Sequence, residues 1–283
     1  MELSLLQNAV QEIKNNIYHA VVNAKFGQSV YENGLKAKTA LIRSEKLIQK
    51  IHEITKISLY EEISRHKIKH QIHPPIGYDS PELDVWGLLK KKQQDIVILF
   101  SPSNREKIDQ GPMKGQYDEL GTKAAKQAVV IGVRSQLSSI DKNFDTLMER
   151  AFAETLNLRL KHPELVMGEV YLLAVREYDS QEMKKNKIAW KYRFTKAEKF
   201  ISIFNAMSNR KDYQNTSELY KYERSALILA DFSRNPVKIY KDMEELKKDS
   251  VVSKNFPENY SKLSPVNFSK DIIDTYMKRH GLF

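Results

Sequence analysis

Ala128-Val129-Val130-Ile131-Gly132-Val133 runs without a polar break into Arg134-Ser135-Gln136-Leu137-Ser138-Ser139, and then into Ile140-Asp141-Lys142-Asn143-Phe144-Asp145. The first six residues are small or β-branched and apolar throughout, the pattern of a strand covered on both faces. The stretch Asp141–Leu160 that follows has helical spacing. Leu147, Ala151, Glu154 and Leu158 mark one face, Phe144, Met148, Phe152 and Thr155 the adjacent one, and Pro163 ends it. A buried strand feeding an amphipathic helix is an α/β unit, and the polar residues between them gather at the carboxyl end of the sheet, where such folds bind ligands.

Working outward, Ile96-Val97-Ile98-Leu99-Phe100 is a second continuous apolar strand. Leu83–Leu89, with Val85 and Trp86, precedes it as a strand across a polar turn, Lys90–Gln94. Residues 101–123 form an irregular polar loop containing Gly111, Gly115 and Gly121. Beyond Pro163, Met167–Val175 is a strand, a Lys-rich loop follows, Ala197–Met207 is a helix and Ala226–Phe232 another strand. This order predicts an α/β (α+β) protein with a central mixed β-sheet flanked by helices. The first 65 residues form a helical N-terminal region. Leu5, Val10, Ile13 and Ile17 line one helix, and Lys36–Ile57 carries Leu41, Leu47, Ile48, Ile51 and Ile54 on one stripe. The expected division is a helical region over 1–65, an α/β core over 66–240, and a C-terminal extension over 241–283 packed on the core.

Of 283 residues, 41% are hydrophobic and 29% charged, the balance of a globular chain with a sizeable core. No cysteine is present, which excludes a disulfide scaffold, a thiolate nucleophile and a Cys-ligated metal. Lys and Arg exceed Asp and Glu by 46 to 36, a net +10, which favours polyanionic partners. The same excess would arise in any chain drawn from a Lys-rich proteome. MELSLLQNAVQEIKNN lacks the basic start and apolar run of a signal peptide, and no apolar stretch approaches a membrane span, so a cytoplasmic protein with no membrane partner is expected.

Three regions carry candidate chemistry. Acidic residues flank the strands at Pro81-Glu82-Leu83-Asp84 and Gln94-Asp95-Ile96. If those strands form a hairpin, Asp84 and Asp95 lie near each other at its open end, and with Glu82 they offer oxygen ligands to Mg²⁺. They are equally read as turn residues capping strands. In the strand-to-helix segment, Arg134, Gln136 and Lys142 are candidates to orient a phosphate and water, and Ser138, Ser139 and Asn143 to contact nucleic acid; a solvent-exposed polar loop is the plainer alternative. The cluster Arg65-His66-Lys67-Ile68-Lys69-His70-Gln71-Ile72-His73 runs into Pro74-Pro75. Its spacing lacks the HExxH arrangement of a zinc site, so Arg65, Lys67, Lys69 and His73 are expected to grip a phosphate backbone.

The segment VRSQLSSIDKNFDTLMERAFAETLNLRLKHPELVMGEVYLL, residues 133–173, resembles type II restriction endonucleases of the PD-(D/E)xK superfamily. The resemblance extends over residues 80–175, with a weaker likeness at Tyr220–Glu223 and Leu229–Phe232. It implies a Mg²⁺-dependent, site-specific endonuclease of double-stranded DNA, acting as a homodimer and paired with a cognate DNA methyltransferase. By that likeness Asp95 or Asp84 is the first metal-binding acid, and the strand Val129–Gln136 carries the second motif. Where (D/E)-x-K should stand, however, this chain has Gly132-Val133-Arg134. Arg forks onto phosphate but is a poor proton acceptor. Glu149 or Glu154 on the following helix, or Glu82, are candidates to replace the missing acid, and Gln136 to position water. A non-catalytic DNA-binding protein on a nuclease-like fold is the alternative.

Overall fold

The computed structural model describes residues 1–282. Three helices open the chain: α1 (Leu3–Val22), α2 (Gly34–Arg43) and α3 (Gln49–Arg65). A helical stripe over Lys36–Ile57 was a sound expectation for the burial pattern but not for continuity. Glu45 adopts φ 62°, a left-handed conformation that no helix interior accommodates, and the chain turns there between α2 and α3.

The central sheet has six strands. In chain order they are β1 (Gln71–His73), β4 (Ile96–Leu99), β5 (Val129–Gln136), β6 (Val166–Ala174), β9 (Arg224–Asp231) and β10 (Lys238–Ile239). Two further strands, β2 (Leu83–Trp86) and β3 (Lys91–Gln94), form a separate hairpin before β4, and β7 (Arg176–Tyr178) and β8 (Trp190–Phe194) form another after β6. The spatial order across the central sheet is β10-β9-β6-β5-β4-β1. β5, β6 and β9 are parallel, while β4, β1 and β10 run against their neighbours. The sheet is therefore mixed, as the element order predicts. α4 (Ile140–Arg159) crosses from β5 to β6, α5 (Ala197–Ala206) lies between β8 and β9, and α6 (Phe268–Arg279) closes the chain.

The continuous apolar runs are explained by burial on both faces. Ile96, Ile98, Val129, Ile131 and Val133 face the large core built with α1, α3 and α6, whereas Val97, Leu99 and Val130 face a smaller core that includes Ala151 and Leu158 of α4. Residues alternate between the two because side chains on a strand alternate faces. The N-terminal helices and the C-terminal helix share the large core with the sheet. Tyr222, Tyr240, Tyr260 and Phe232 are buried, so the aromatic residues of the last third are core and not surface. No helix among the described residues is long and apolar enough to cross a membrane.

Two expectations need correction. Lys90–Gln94 is not a turn: Lys91–Gln94 is strand β3, and the turn lies at Gly87–Lys90. The Lys-rich loop after β6 contains β7 and β8.

Candidate active site

The polar segment at the carboxyl end of β5 opens onto a cavity of about 540 Å³. Acidic residues line it. The hairpin register pairs Leu83 with Gln94, so Glu82 and Asp95 are the next residues beyond its open end. Glu45, from the turn between α2 and α3, lines the same cavity. Asp95 sits where the chain leaves the hairpin for the central sheet, and its Oδ2 accepts the backbone N–H of Val133 at 2.6 Å. That carboxylate satisfies a strand N–H that β4, starting at Ile96, does not reach. Burial, then the Asp95 and Glu45 charges, push the Glu82 carboxyl up to about 7. Burial and like charges both disfavour the ionised form of a carboxyl.

Cationic residues line the same cavity. Arg134 donates from Nη1 to Glu169 at 2.9 Å and from Nη2 to Glu154 at 2.8 Å, so β5, β6 and α4 are tied at one guanidinium. Glu169 lies opposite Gly132 in the parallel ladder, and a Cβ on Gly132 would stand 2.3 Å from its Oε2. Only glycine leaves room for the carboxylate there. Burial, despite the pull of Arg134, pushes Glu169 up to about 7, and its Oε2 has no hydrogen-bond partner. Arg134 is held charged well above its ordinary value, chiefly by Glu169. Lys92 of β3 approaches Glu154 at 3.6 Å. Lys90, Lys92, Arg134 and Arg150 also line an adjoining cavity of about 370 Å³.

Asn157 of α4 fixes this hairpin in place. Its Oδ1 accepts from the backbone N–H of Leu89 at 2.8 Å, and its Nδ2 donates to the Lys90 carbonyl at 3.0 Å. His52 of α3 completes the cavity's floor with Nε2 3.3 Å from the Val133 carbonyl, so that nitrogen carries the proton. Burial lowers its pKa, against the opposing pull of Asp95.

Of the residues singled out from sequence, the fold brings Glu82, Asp95, Arg134 and Glu154 together. Asp84 is not with them. It faces Gln93 in the hairpin ladder and pairs with Lys91 at 2.7 Å on the exposed surface. Gln136 is buried and donates to the Ser138 carbonyl, away from the cavity. Ser138, Ser139 and Lys142 line a neighbouring cavity that shares Ile42 with the first, and Asn143 is exposed on α4. There the start of α4 is capped by Glu177, whose Oε1 accepts from Ile140 N at 2.7 Å, and Lys38 is buried with its pKa lowered to about 8 by desolvation. Arg65, Lys67 and Lys69 precede β1, whose Gln71 pairs with Leu99, so they lie toward the end of β4 opposite Asp95. Arg65 also pairs with Glu62 at 2.7 Å. His73 is half-buried on the edge strand opposite Val97, and burial lowers its pKa.

Glu45, His52, Lys92, Arg150 and Glu169 were not singled out from sequence; Glu154 was, as a substitute acid. Among the described residues, one trio of His and acidic side chains lies within mutual ligand distance, Glu62, His66 and Asp274. It joins α3 to α6, and Arg65 and Lys270 already pair with its carboxylates. No family model matches this chain, nor does any curated protein or solved structure.

Proposed function

We propose that the cavity at the end of β5 is a phosphodiesterase site and that the protein is a Mg²⁺-dependent endonuclease of double-stranded DNA. The observation that carries this reading is a cavity lined both by acids, Glu45, Glu82, Asp95 and Glu154, and by cations, Lys92, Arg134 and Arg150. Glu45, Glu82 and Asp95 offer the oxygen donors that a hard divalent cation takes alongside several waters, and, as they are not within mutual ligand distance, the cation would have to draw them together. Glu82, raised toward neutrality by burial and then by its acidic neighbours, is the kind of carboxyl that a cation would return to its charged form. When bound, the metal would supply an activated water and neutralise charge on the phosphate. Asp95 holds its place through Val133 N. Arg150 is the exposed cation of the lining that would meet a phosphate first, and Arg134 and Lys92 would have to give up Glu154 to take a non-bridging oxygen. The neighbouring acid on the strand that follows Asp95 is supplied by Glu154 and Glu169, from α4 and β6, in place of the expected tripeptide.

Site specificity, a homodimer and a partner methyltransferase belong to the same proposal and rest on the resemblance to restriction endonucleases. The second reading, a non-catalytic DNA-binding protein, is favoured by one feature. Both replacement acids are already engaged by Arg134. Asp95→Ala separates the two. The expected result is loss of plasmid cleavage with DNA binding intact or tighter, because a carboxylate facing phosphate repels it when metal is absent. Wild-type cleavage by that variant would remove Asp95 from the metal site.

A further inference from the structure

The hairpin β7–β8 rises from the same edge of the sheet as the candidate site. β5 and β6 are parallel, with Leu173 level with Gln136, and β7 begins two residues after β6 ends. Residues 184–199 hold seven Lys and Arg against one acid, Glu198. Lys185, Lys191 and Lys199 are matched by carboxylates. Lys184, Lys187, Arg193 and Lys196 have no carboxylate partner among the described residues, and all four are exposed. Such a run of unmatched charge gives this hairpin a positive potential that attracts a polyanion.

The hairpin is also rigid and carries an aromatic side chain with nothing to pack on. Trp190 lies against Tyr178 at 4.0 Å between ring centroids, and the Arg176 guanidinium lies over Phe194 at 3.7 Å. Arg176 Nη1 donates to the Tyr192 carbonyl at 2.5 Å, and Thr195 N donates to the Val175 carbonyl at 2.9 Å, fixing the base. Tyr192 lies midway between Trp190 and Phe194 in sequence yet is 94% exposed, against 76% for Val30, the next most exposed large apolar residue described. A two-stranded ribbon of this kind fits the major groove of duplex DNA.

Resting on the proposed nuclease reading, we propose that β7–β8 is a DNA-contact arm, in which Lys187 and Arg193 take backbone phosphates beside the cavity and Tyr192 places its ring against a base. None of these residues lines the cavity, so the arm sets affinity and placement while the chemistry lies elsewhere. Basic residues that neutralise phosphates contribute to the salt dependence of binding, at about 0.9 in log–log slope per contact. An aromatic contact contributes affinity without a salt term, roughly tenfold or more per ring.

The test is fluorescence anisotropy with a labelled DNA duplex in Ca²⁺ across a salt series. Lys187→Ala/Arg193→Ala is expected to lower the slope by about 2, and Tyr192→Ala to weaken binding by roughly tenfold with the slope unchanged. Both variants alter exposed side chains, and an unchanged melting temperature confirms that each is folded. A wild-type chain that binds DNA while both variants retain its affinity and slope would overturn the arm and leave the nuclease reading standing. A wild-type chain with no salt-dependent DNA binding would overturn that reading and the arm with it.

Discussion

Replacing Arg134 by Ala should destabilise the protein by an amount that grows with pH. Glu169 is 1% exposed and its carboxyl is pushed up to about 7 by burial, with Arg134 pulling it down and Glu154 and Asp95 pushing it up. An acid whose folded pKa exceeds its unfolded value of 4.5 favours the folded state most strongly below that value. The contribution is lost as pH rises to about 7 and is flat above it. Without Arg134 the attraction that limits the rise is gone, so the loss continues through neutral pH. Each further unit is worth about 1.4 kcal/mol. The penalty relative to wild type should therefore be larger at pH 8.5 than at pH 6 by about 2 kcal/mol. Urea denaturation at the two pH values measures it, with the comparison to wild type cancelling groups common to both. Measured against Glu169→Gln alone, Arg134→Ala/Glu169→Gln should show no such growth, leaving a constant offset from the lost Glu154 contact. An equal penalty at both pH values, or growth that persists in the double variant, would refute the reasoning.

Two further outcomes follow from the charged groups. Because a cation must displace the Glu82 proton, Mn²⁺ affinity measured by isothermal titration should climb with pH up to about 7, and Glu82→Gln should flatten that climb; an identical profile in the variant would place the cation elsewhere. Glu223 is buried among Arg159, Arg210 at 3.5 Å and Arg279 at 3.0 Å, and also accepts from Met167 N at 2.6 Å. Glu223→Ala leaves those guanidinium groups facing one another and should cost about 3–5 kcal/mol in urea denaturation, with a loss under 1 kcal/mol contradicting the assignment.

Four of the six strands, β4, β5, β6 and β9, were legible because they are buried and carry long apolar runs, whereas the short edge strands β1 and β10 were not. β3 was not, since Lys91-Lys92-Gln93-Gln94 is a strand made by backbone pairing and an exposed face, with no apolar alternation to reveal it. That omission displaced the acid pair. With the turn at Gly87–Lys90, the ladder puts Glu82 and not Asp84 beyond the open end beside Asp95, and hairpin register depends on turn length in just this way. Asp95 was legible as an acid heading a buried strand, and Arg134 as a charge leaving one. Glu45 comes from the turn between α2 and α3 and His52 from α3, both distant in the chain, where an exposed Glu and a buried His carry no visible signal. Glu169 sits within an otherwise apolar strand and has a visible signal in retrospect, since a lone acid in a doubly buried run needs a partner.

Incubation of supercoiled plasmid with the wild-type chain, in Mg²⁺ and in EDTA, tests the central claim most directly. The account predicts nicked and linear products that disappear with the chelator. Intact plasmid in both Mg²⁺ and Mn²⁺, under conditions where the chain is bound to the DNA, would contradict it.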